Sequence, residues 1–398
     1  MDQTHIEPDE KTGAPIHALL IFFMVARILT NTVHRLVYPF LPILARTFGV
    51  TPEVFSAAVS TRSVAGLGSI FLSRYTDSHG RKFGMLLGNG LFVGGIALII
   101  LLPTFPIFVI GLGLSSLGKY VMDSAIQAFV GDEIPVKRRG RAFGIIELGW
   151  SLSYLVGIWG VRVLMERLGW LAPFPVLGFL GVLAWAGFVF WVPAGRRTGV
   201  RPDSVRVGVG AVLKNRSAVL ALLVGLAISA GNELVTLVFA VWLEGSFGFT
   251  LAALAGAAVA IGFAEMFGEV LVGILTDRLG AVRSVGLGLV LNSLFAVLLP
   301  VIGRGPVGAV VGLFLFYFTF EFTLVSGIAL LTEVPTNAKA TLMSLNVAGL
   351  SIGRIISAWV ALPMYSLGFV VVLGAAVLIN VGGLAALRGL VVRLRGST

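Results

Sequence analysis

A dozen apolar runs, each about 20 residues long, fill almost the whole chain, with only short polar or Pro/Gly breaks between them. As helices, such runs reach about 30 Å, the thickness of a bilayer's hydrocarbon core. In lipid every backbone N–H and C=O must be satisfied inside the structure, and a long uninterrupted apolar run meets that demand as a helix. The runs predict twelve helices, near 16–44, 52–73, 83–102, 106–130, 142–164 and 172–192, then 217–243, 250–275, 284–302, 306–332, 340–362 and 368–387. Composition agrees, with 57% hydrophobic and 12% charged residues and a mean hydropathy of +0.99. Soluble domains carry about 25% charged residues to hydrate their surface. The balance excludes a soluble enzyme, a disordered regulator and a nucleic-acid-binding module, whatever the formal net charge of +10.

The longest break, 193–216, is polar, basic and central. It is expected to link an N-terminal six-helix bundle (1–192) to a C-terminal one (217–398). The fold class that follows is an all-α membrane protein, with twelve transmembrane helices in two pseudo-symmetric six-helix bundles. Placing both termini and the even-numbered loops on one side puts 20 Lys and Arg residues there. Only Arg46, Arg167 and Arg304 fall on the other side, and six lie within spans. Basic residues stay in the cytoplasm, so both termini are expected there, in a cell (inner, cytoplasmic) membrane. The first ten residues are acidic and polar, unlike the basic start of a signal peptide, and the first run is expected to be a retained span. With no cysteine, disulfides, thiolate metal sites and Cys nucleophiles are excluded.

The two halves repeat at an offset of 200 residues. Asp77 and Gly80 follow the second span, and Asp277 and Gly280 follow the eighth. Glu133 and Pro135 follow the fourth, and Glu333 and Pro335 the tenth. Four matches at one offset predict a duplicated six-helix unit. With these motifs the chain resembles the major facilitator superfamily over essentially its whole length. The family's loop signature is Gly, three residues, Asp, a basic residue, any residue, Gly, then basic residues. GILTDRLGAVR supplies Gly273, Asp277, Arg278, Gly280 and Arg283, while SRYTDSHGRK keeps Asp77, Gly80, Arg81 and Lys82, with Ser73 and Ser78 replacing the small Gly and the basic residue. The resemblance implies that Asp77, Gly80, Arg81, Lys82, Asp277, Arg278, Gly280 and Arg283 latch the cytoplasmic ends of the halves in the outward-open state. The fifth span, IIELGWSLSYLVGIWG, lacks the Gly-Pro antiporter signature, and the fourth lacks the Arg-x-x-x-Gly pattern.

Ionisable residues inside the hydrocarbon cost about 2.5–3.5 kcal/mol each, even on the lenient insertion scale, and mark function. The basic set is Arg27, Arg35, Arg62, Lys119, Arg162 and Arg354. The acidic set is Asp123, Glu147, Glu233, Glu265, Glu269 and Glu321. Spans 3, 6, 9 and 12 hold none, which predicts eight cavity-lining helices and four facing lipid, as in the family. By helical spacing, Arg27, Asn31, His34 and Arg35 share a stripe, and so do Ser116, Lys119, Asp123 and Gln127. Arg35, Arg162, Glu147 and Glu269 fall nearer the span ends, where snorkelling suffices. Lys119 and Asp123 also have the spacing of a self-neutralising i,i+4 pair.

Three deep cations of the N-terminal half face one deep carboxylate, and the C-terminal half inverts that ratio. Arg27, Asn31, Arg62, Lys119, Asn232, Asn346 and Arg354 are therefore candidates to bind an anionic or zwitterionic group, because the Arg fork matches carboxylate and phosphate. A carboxyl group in an apolar cavity loads and unloads a proton readily, which selects Glu233, Glu265 and Glu321, then Asp123, as proton carriers. Aromatic residues around FLFYFTFEFT, with Phe239, Trp242, Phe263 and Phe267, favour a solute with an apolar body. The expected function is proton-coupled secondary transport of a small amphiphilic solute by a monomer, with export suggested by resemblance to efflux-type members. An organic-anion importer and a lipid-like flippase use the same fold. No enzyme constellation, metal-ligand cluster or phosphate-cradling Gly loop accompanies these residues, so neither an enzyme nor a cofactor is expected.

Overall fold

Pro39 decides the shape of the first span. It has no N–H, and its ring clashes with the carbonyl four residues back, at Arg35. The computed structural model describes residues 15–66, 68, 72, 79–193, 204–336 and 339–395. In it, helix α1 (Ile16–Arg35) stops where Pro39 requires, and α2 (Leu41–Thr47) restarts beyond a turn with Pro42 in its first turn. The single helix expected over 16–44 is thus two, and the break has a consequence at the site. The Tyr38 N–H turns back to the Arg35 carbonyl at 3.1 Å, leaving the His34 carbonyl open to a side-chain donor.

The second span begins as α3 (Pro52–Ser60), whose N-cap Thr51 accepts from the Val54 N–H. A 3₁₀ turn, Thr61–Ser63, then carries Arg62, and half of the remaining span, 64–73, lies outside the described residues. Next come α4 (Arg81–Leu101), α5 (Phe105–Glu133) and α6 (Val136–Leu152), which passes through a π-helical turn, Ser153–Ile158, into α7 (Trp159–Leu168). Helix α8 (Pro173–Trp191) completes the first half, and a short helix α9 (Ser204–Lys214) lies in the segment expected to be a linker. The second half contains α10 (Arg216–Phe247), α11 (Leu251–Leu279), α12 (Ala281–Ile302), α13 (Pro306–Glu333), α14 (Lys339–Tyr365) and α15 (Phe369–Arg395). Among the described residues, eleven helices are long and apolar enough to cross a membrane, with 141–168 counted as one.

The repeat extends to the backbone. Gly80 (φ 103°) caps the start of α4, and Gly280 (φ 82°) caps the start of α12. L side chains avoid that region of backbone space, so the repeated glycine answers a repeated conformation. The uncharged spans are stitched alike: Asn89 on α4 donates to the Gly181 carbonyl of α8 at 2.8 Å, and Asn380 on α15 donates to Asn292 of α12 at 2.9 Å.

The halves meet through α2 on α10, α3 on α14, and the π turn on α11. At the end away from the basic loops, Arg46 and Glu244 join them by two bonds of 2.7 Å. Towards the basic loops the polar face of α5 opens: Lys119 and Asp123 are buried, and Gln127, one turn on, is exposed.

Candidate functional site

Helix α1 is laced to α6 by its polar stripe. Arg27 donates to the Ile146 carbonyl at 3.0 Å, Asn31 to that of Gly149 at 3.1 Å, and Arg35 to that of Trp150 at 3.1 Å. The helices come this close because Gly149 has no side chain: a Cβ there would sit 2.9 Å from the Arg27 Cβ and from the Met24 carbonyl oxygen. Arg27 also pairs with Glu147 at 2.7 Å and lies 3.2 Å from Asp123, which in turn holds Lys119 at 2.7 Å. Two cations and two carboxylates therefore close a matched cluster within the N-terminal half, and the i,i+4 pair is part of it.

Arg35 sits deeper than its position near the end of the span suggested. Because Pro39 ends α1 at this residue, Arg35 lies at the centre of the molecule, buried to 2% exposure. One nitrogen makes bonds of 2.6 and 2.7 Å to both oxygens of Glu265, across the two halves. The guanidinium is flanked by the rings of Tyr154 and Trp150, 3.4 and 4.1 Å from their centres. The π turn assists, since a widened turn frees backbone groups from the regular ladder, and the Trp150 carbonyl accepts from Arg35 at its edge. On the far side of Glu265 stand two more carboxyls. Glu269 accepts from the Ser151 hydroxyl at 3.1 Å. Glu321 is buried, packs on Gly268 of α11, and has one oxygen with no hydrogen-bond partner.

The opposite side of the centre is cationic. Arg62 donates to the open His34 carbonyl and lies 4.8 Å from the centre of the Tyr38 ring. Arg354 comes from α14 in the other half and faces Tyr120, Glu233 and Tyr38. The Tyr38 hydroxyl donates to Glu233 at 3.0 Å. His34 bonds the Ser116 hydroxyl at 3.2 Å and lies among Arg62, Lys119, Arg354 and Arg35. Among the described residues neither Arg62 nor Arg354 is ion-paired to a carboxylate.

The remaining candidates are dispersed. Asn232 neighbours Glu233 on α10 and leaves a buried side-chain oxygen unbonded. Asn346 borders a crevice with Gly225 and Leu324, two helical turns from Arg354. Phe263 and Phe267 project from α11 on the face away from Glu265 and are exposed. A groove of about 880 Å³ beside α1, the π turn and α8, lined by Phe22, Leu29 and Leu180 among others, is apolar and carries none of the charged groups. Of the latch residues, Arg81 pairs with Asp132 at 2.9 Å and Lys82 donates to the Val189 carbonyl at 2.6 Å, both within the first half. Arg278, Gly280 and Arg283 are exposed, while Asp77 and the Asp277 side chain lie outside the described residues. Four of the six tyrosines in the chain, Tyr38, Tyr120, Tyr154 and Tyr317, surround the central charges; sequence reasoning reached Tyr317 through FLFYFTFEFT and missed the other three. Their rarity beside 28 Phe, and their mid-span positions, were the available signal.

Comparison with known proteins identifies this architecture. The chain is 23% identical to the uncharacterized MFS-type transporter YbcL of Bacillus subtilis (strain 168), over 81% of this chain and 82% of that protein. It is 28% identical to a second such transporter of that organism, YwfA, over 39% and 34% respectively, and 29% identical to a quinate permease of Neurospora africana over 36% and 29%. These last two matches span about a third of each relative. A crystal structure of a mutant of the peptide transporter POT in complex with alafosfalin superposes with a TM-score of 0.75 at 15% identity, covering 96% of each chain. Residues 20–358 match the family described as the Major Facilitator Superfamily, and with eleven membrane-crossing helices among the described residues the chain belongs to that superfamily, as a multi-pass membrane transporter and not an enzyme.

Proposed function

We propose that the protein is a proton-coupled secondary transporter that moves a small amphiphilic organic anion or zwitterion by alternating access. One observation carries the reading: two guanidiniums from opposite halves, the buried Arg62 and the half-buried Arg354, have no carboxylate ion-paired to them among the described residues. Burying an unpaired cation is costly, and a ligand that supplies the missing anion offsets that cost. A ligand held between the halves also draws them together, which couples occupancy to conformation. The apolar body of the solute lies against Tyr38, Tyr120 and Tyr154. Arg27 and Asn31, tied to α6, and Lys119, joined to Arg27 through Asp123, position this site, with Asn232 and Asn346 further along the path.

Protons travel on the carboxyl groups. Glu321 is the first carrier, because a buried carboxyl with an unbonded oxygen has room for a proton where Glu265 has a guanidinium. Glu265, Glu233 and Asp123 exchange partners as the halves move. In this reading the basic loops face the cytoplasm with both termini, the cleft beside Gln127 opens inwards, and Arg46–Glu244 closes the outer end. Asp77, Gly80, Arg81, Lys82, Asp277, Arg278, Gly280 and Arg283 latch the inner ends in the opposite state. The transporter works as a monomer in the cell membrane. Export follows from the resemblance to efflux-type members. Import of an organic anion is the second reading, favoured by the cationic site and by the likeness to a quinate permease.

A thermal-shift screen of small carboxylates on purified protein tests the site. Hits are expected to lose affinity about 30-fold or more in Arg62→Ala and Arg354→Ala, the range for truncating one partner of a buried charge pair. Hits that bind both variants as tightly as they bind the natural protein would overturn the anion site.

A further inference from the structure

The charges around the centre do not cancel evenly. Lys119 and Arg27 are matched by Asp123 and Glu147, and Arg35 is matched by Glu265. Among the described residues, what remains on the α3–α10–α14 side is Arg62 and Arg354 facing one carboxylate, that of Glu233. That carboxylate is fixed rather than loose. It is buried, the Tyr38 hydroxyl donates to it at 3.0 Å, and Tyr38 is itself held by the turn that Pro39 imposes. The site therefore has two positive charges, one built-in negative charge and room in its balance for one more.

From this imbalance we propose that Glu233 is the specificity residue of the Arg62–Arg354 site and restricts it to monoanions: solutes with one carboxylate or equivalent group on an apolar body. The inference rests on the anion site of the preceding subsection and specifies its substrate class. A monocarboxylate neutralises the pair of guanidiniums already shared with Glu233. A second carboxylate on the solute would be buried against Glu233 with no cation left to match it, and like charges at close range in a poorly solvated site repel strongly. A zwitterion brings no net negative charge, so it leaves the surplus of the two guanidiniums in place, and its cationic end reaches Glu233 only by sitting beside Arg62 and Arg354. Discrimination of this kind uses a repulsive element as well as an attractive one, and Glu233 is the repulsive element. Removing its charge leaves two unopposed guanidiniums, so the preference is expected to invert towards dianions.

The test compares three solutes that share a body: 3-phenylpropionate, phenylsuccinate and phenylalanine, with parallel cyclohexyl and hexyl series. Binding to the purified full-length protein is read by calorimetry at neutral pH. The natural protein is expected to bind the monocarboxylate about tenfold or more tighter than either companion. In Glu233→Gln the dicarboxylate is expected to overtake the monocarboxylate. Glu233→Asp keeps the charge count and is expected to keep the natural order even where it weakens binding, which separates charge from a general disturbance of the site. Equal or tighter binding of the dicarboxylate or the zwitterion by the natural protein overturns the inference while leaving the anion site standing. An unchanged order in Glu233→Gln overturns it as well. Should that variant fail to fold, the ranking by the natural protein decides alone. If no member of any series binds, the anion site itself falls, and this inference with it.

Discussion

The two sides of the molecular centre use the same residue types and settle their charges in opposite ways. On the α11–α13 side, Arg35 gives both oxygens of Glu265 a bond under 2.8 Å, and the surplus consists of carboxyls, Glu269 and Glu321. On the α3–α14 side the surplus consists of guanidiniums, and Glu233 is bonded by a tyrosine. A buried carboxyl in surplus can be neutralised by a proton, whereas a guanidinium stays charged and needs an anion. Under the proposed function, this contrast is why the acid-rich side carries protons and the cation-rich side binds solute.

The sharpest way to break that contrast is to remove one cation from each side. Arg35→Met leaves Glu265 buried without its partner, and breaking a buried pair from one side costs about 3–5 kcal/mol. The doubly substituted Arg35→Met/Glu265→Leu protein should recover most of that loss, because the uncompensated charge goes too. Arg62→Met strips no ion-paired carboxylate and should cost clearly less. Thermal unfolding in one detergent ranks the three. If Arg62→Met proves as damaging as Arg35→Met, the two sides are not settled differently.

Glu321→Gln tests the acid-rich side with a smaller structural effect. The amide is nearly the same size, and the oxygen it replaces has no partner to lose, so the unfolding temperature should stay within the range of ordinary surface substitutions, about 0.5 kcal/mol. Uptake driven by a pH gradient in proteoliposomes should fall about 100-fold or more, the low end of a typical proton-transfer contribution, while solute exchange without a gradient persists. Gradient-driven uptake that survives the substitution removes Glu321 as the carrier.

How much of this was legible in advance depended on the range of the interaction. The spans, their repeat and the paired glycines Gly80 and Gly280 were legible because lipid imposes length and apolarity locally, and a left-handed backbone imposes Gly. The polar stripe of α1 was legible from its spacing, but its partners were not. Periodicity says which residues share a face, and only helix tilt says that Asn31 meets the Gly149 carbonyl instead of a cavity. Arg35 was misplaced because depth was counted along an unbroken helix. Pro39, visible in the sequence, ends α1 and moves the counting origin. The π turn, which positions Tyr154 and the Trp150 carbonyl, has no comparable sequence mark. The pairing of Arg35 with Glu265, 230 residues away, is a tertiary contact that no local pattern encodes.

The smallest effect should come from the second ion pair between the halves among the described residues, Arg46–Glu244. Its geometry is as good as that of Arg35–Glu265, with two bonds of 2.7 Å, but the Arg46 side chain is 62% exposed. Water already solvates both charges, salt screens them, and ordering two long side chains opposes the gain. Exposed pairs are worth about 0.2–1 kcal/mol. Arg46→Ala, Glu244→Ala and the double substitution should give a coupling energy in that range, shrinking between low and high salt because the Debye length falls from about 10 Å at 0.1 M to about 3 Å at 1 M. The same substitutions on Arg35 and Glu265 should show a coupling several times larger and nearly independent of salt. Equal salt sensitivity of the two pairs would mean that the centre is as wet as the rim, and the low-dielectric argument for both the proton side and the anion side would then fail together.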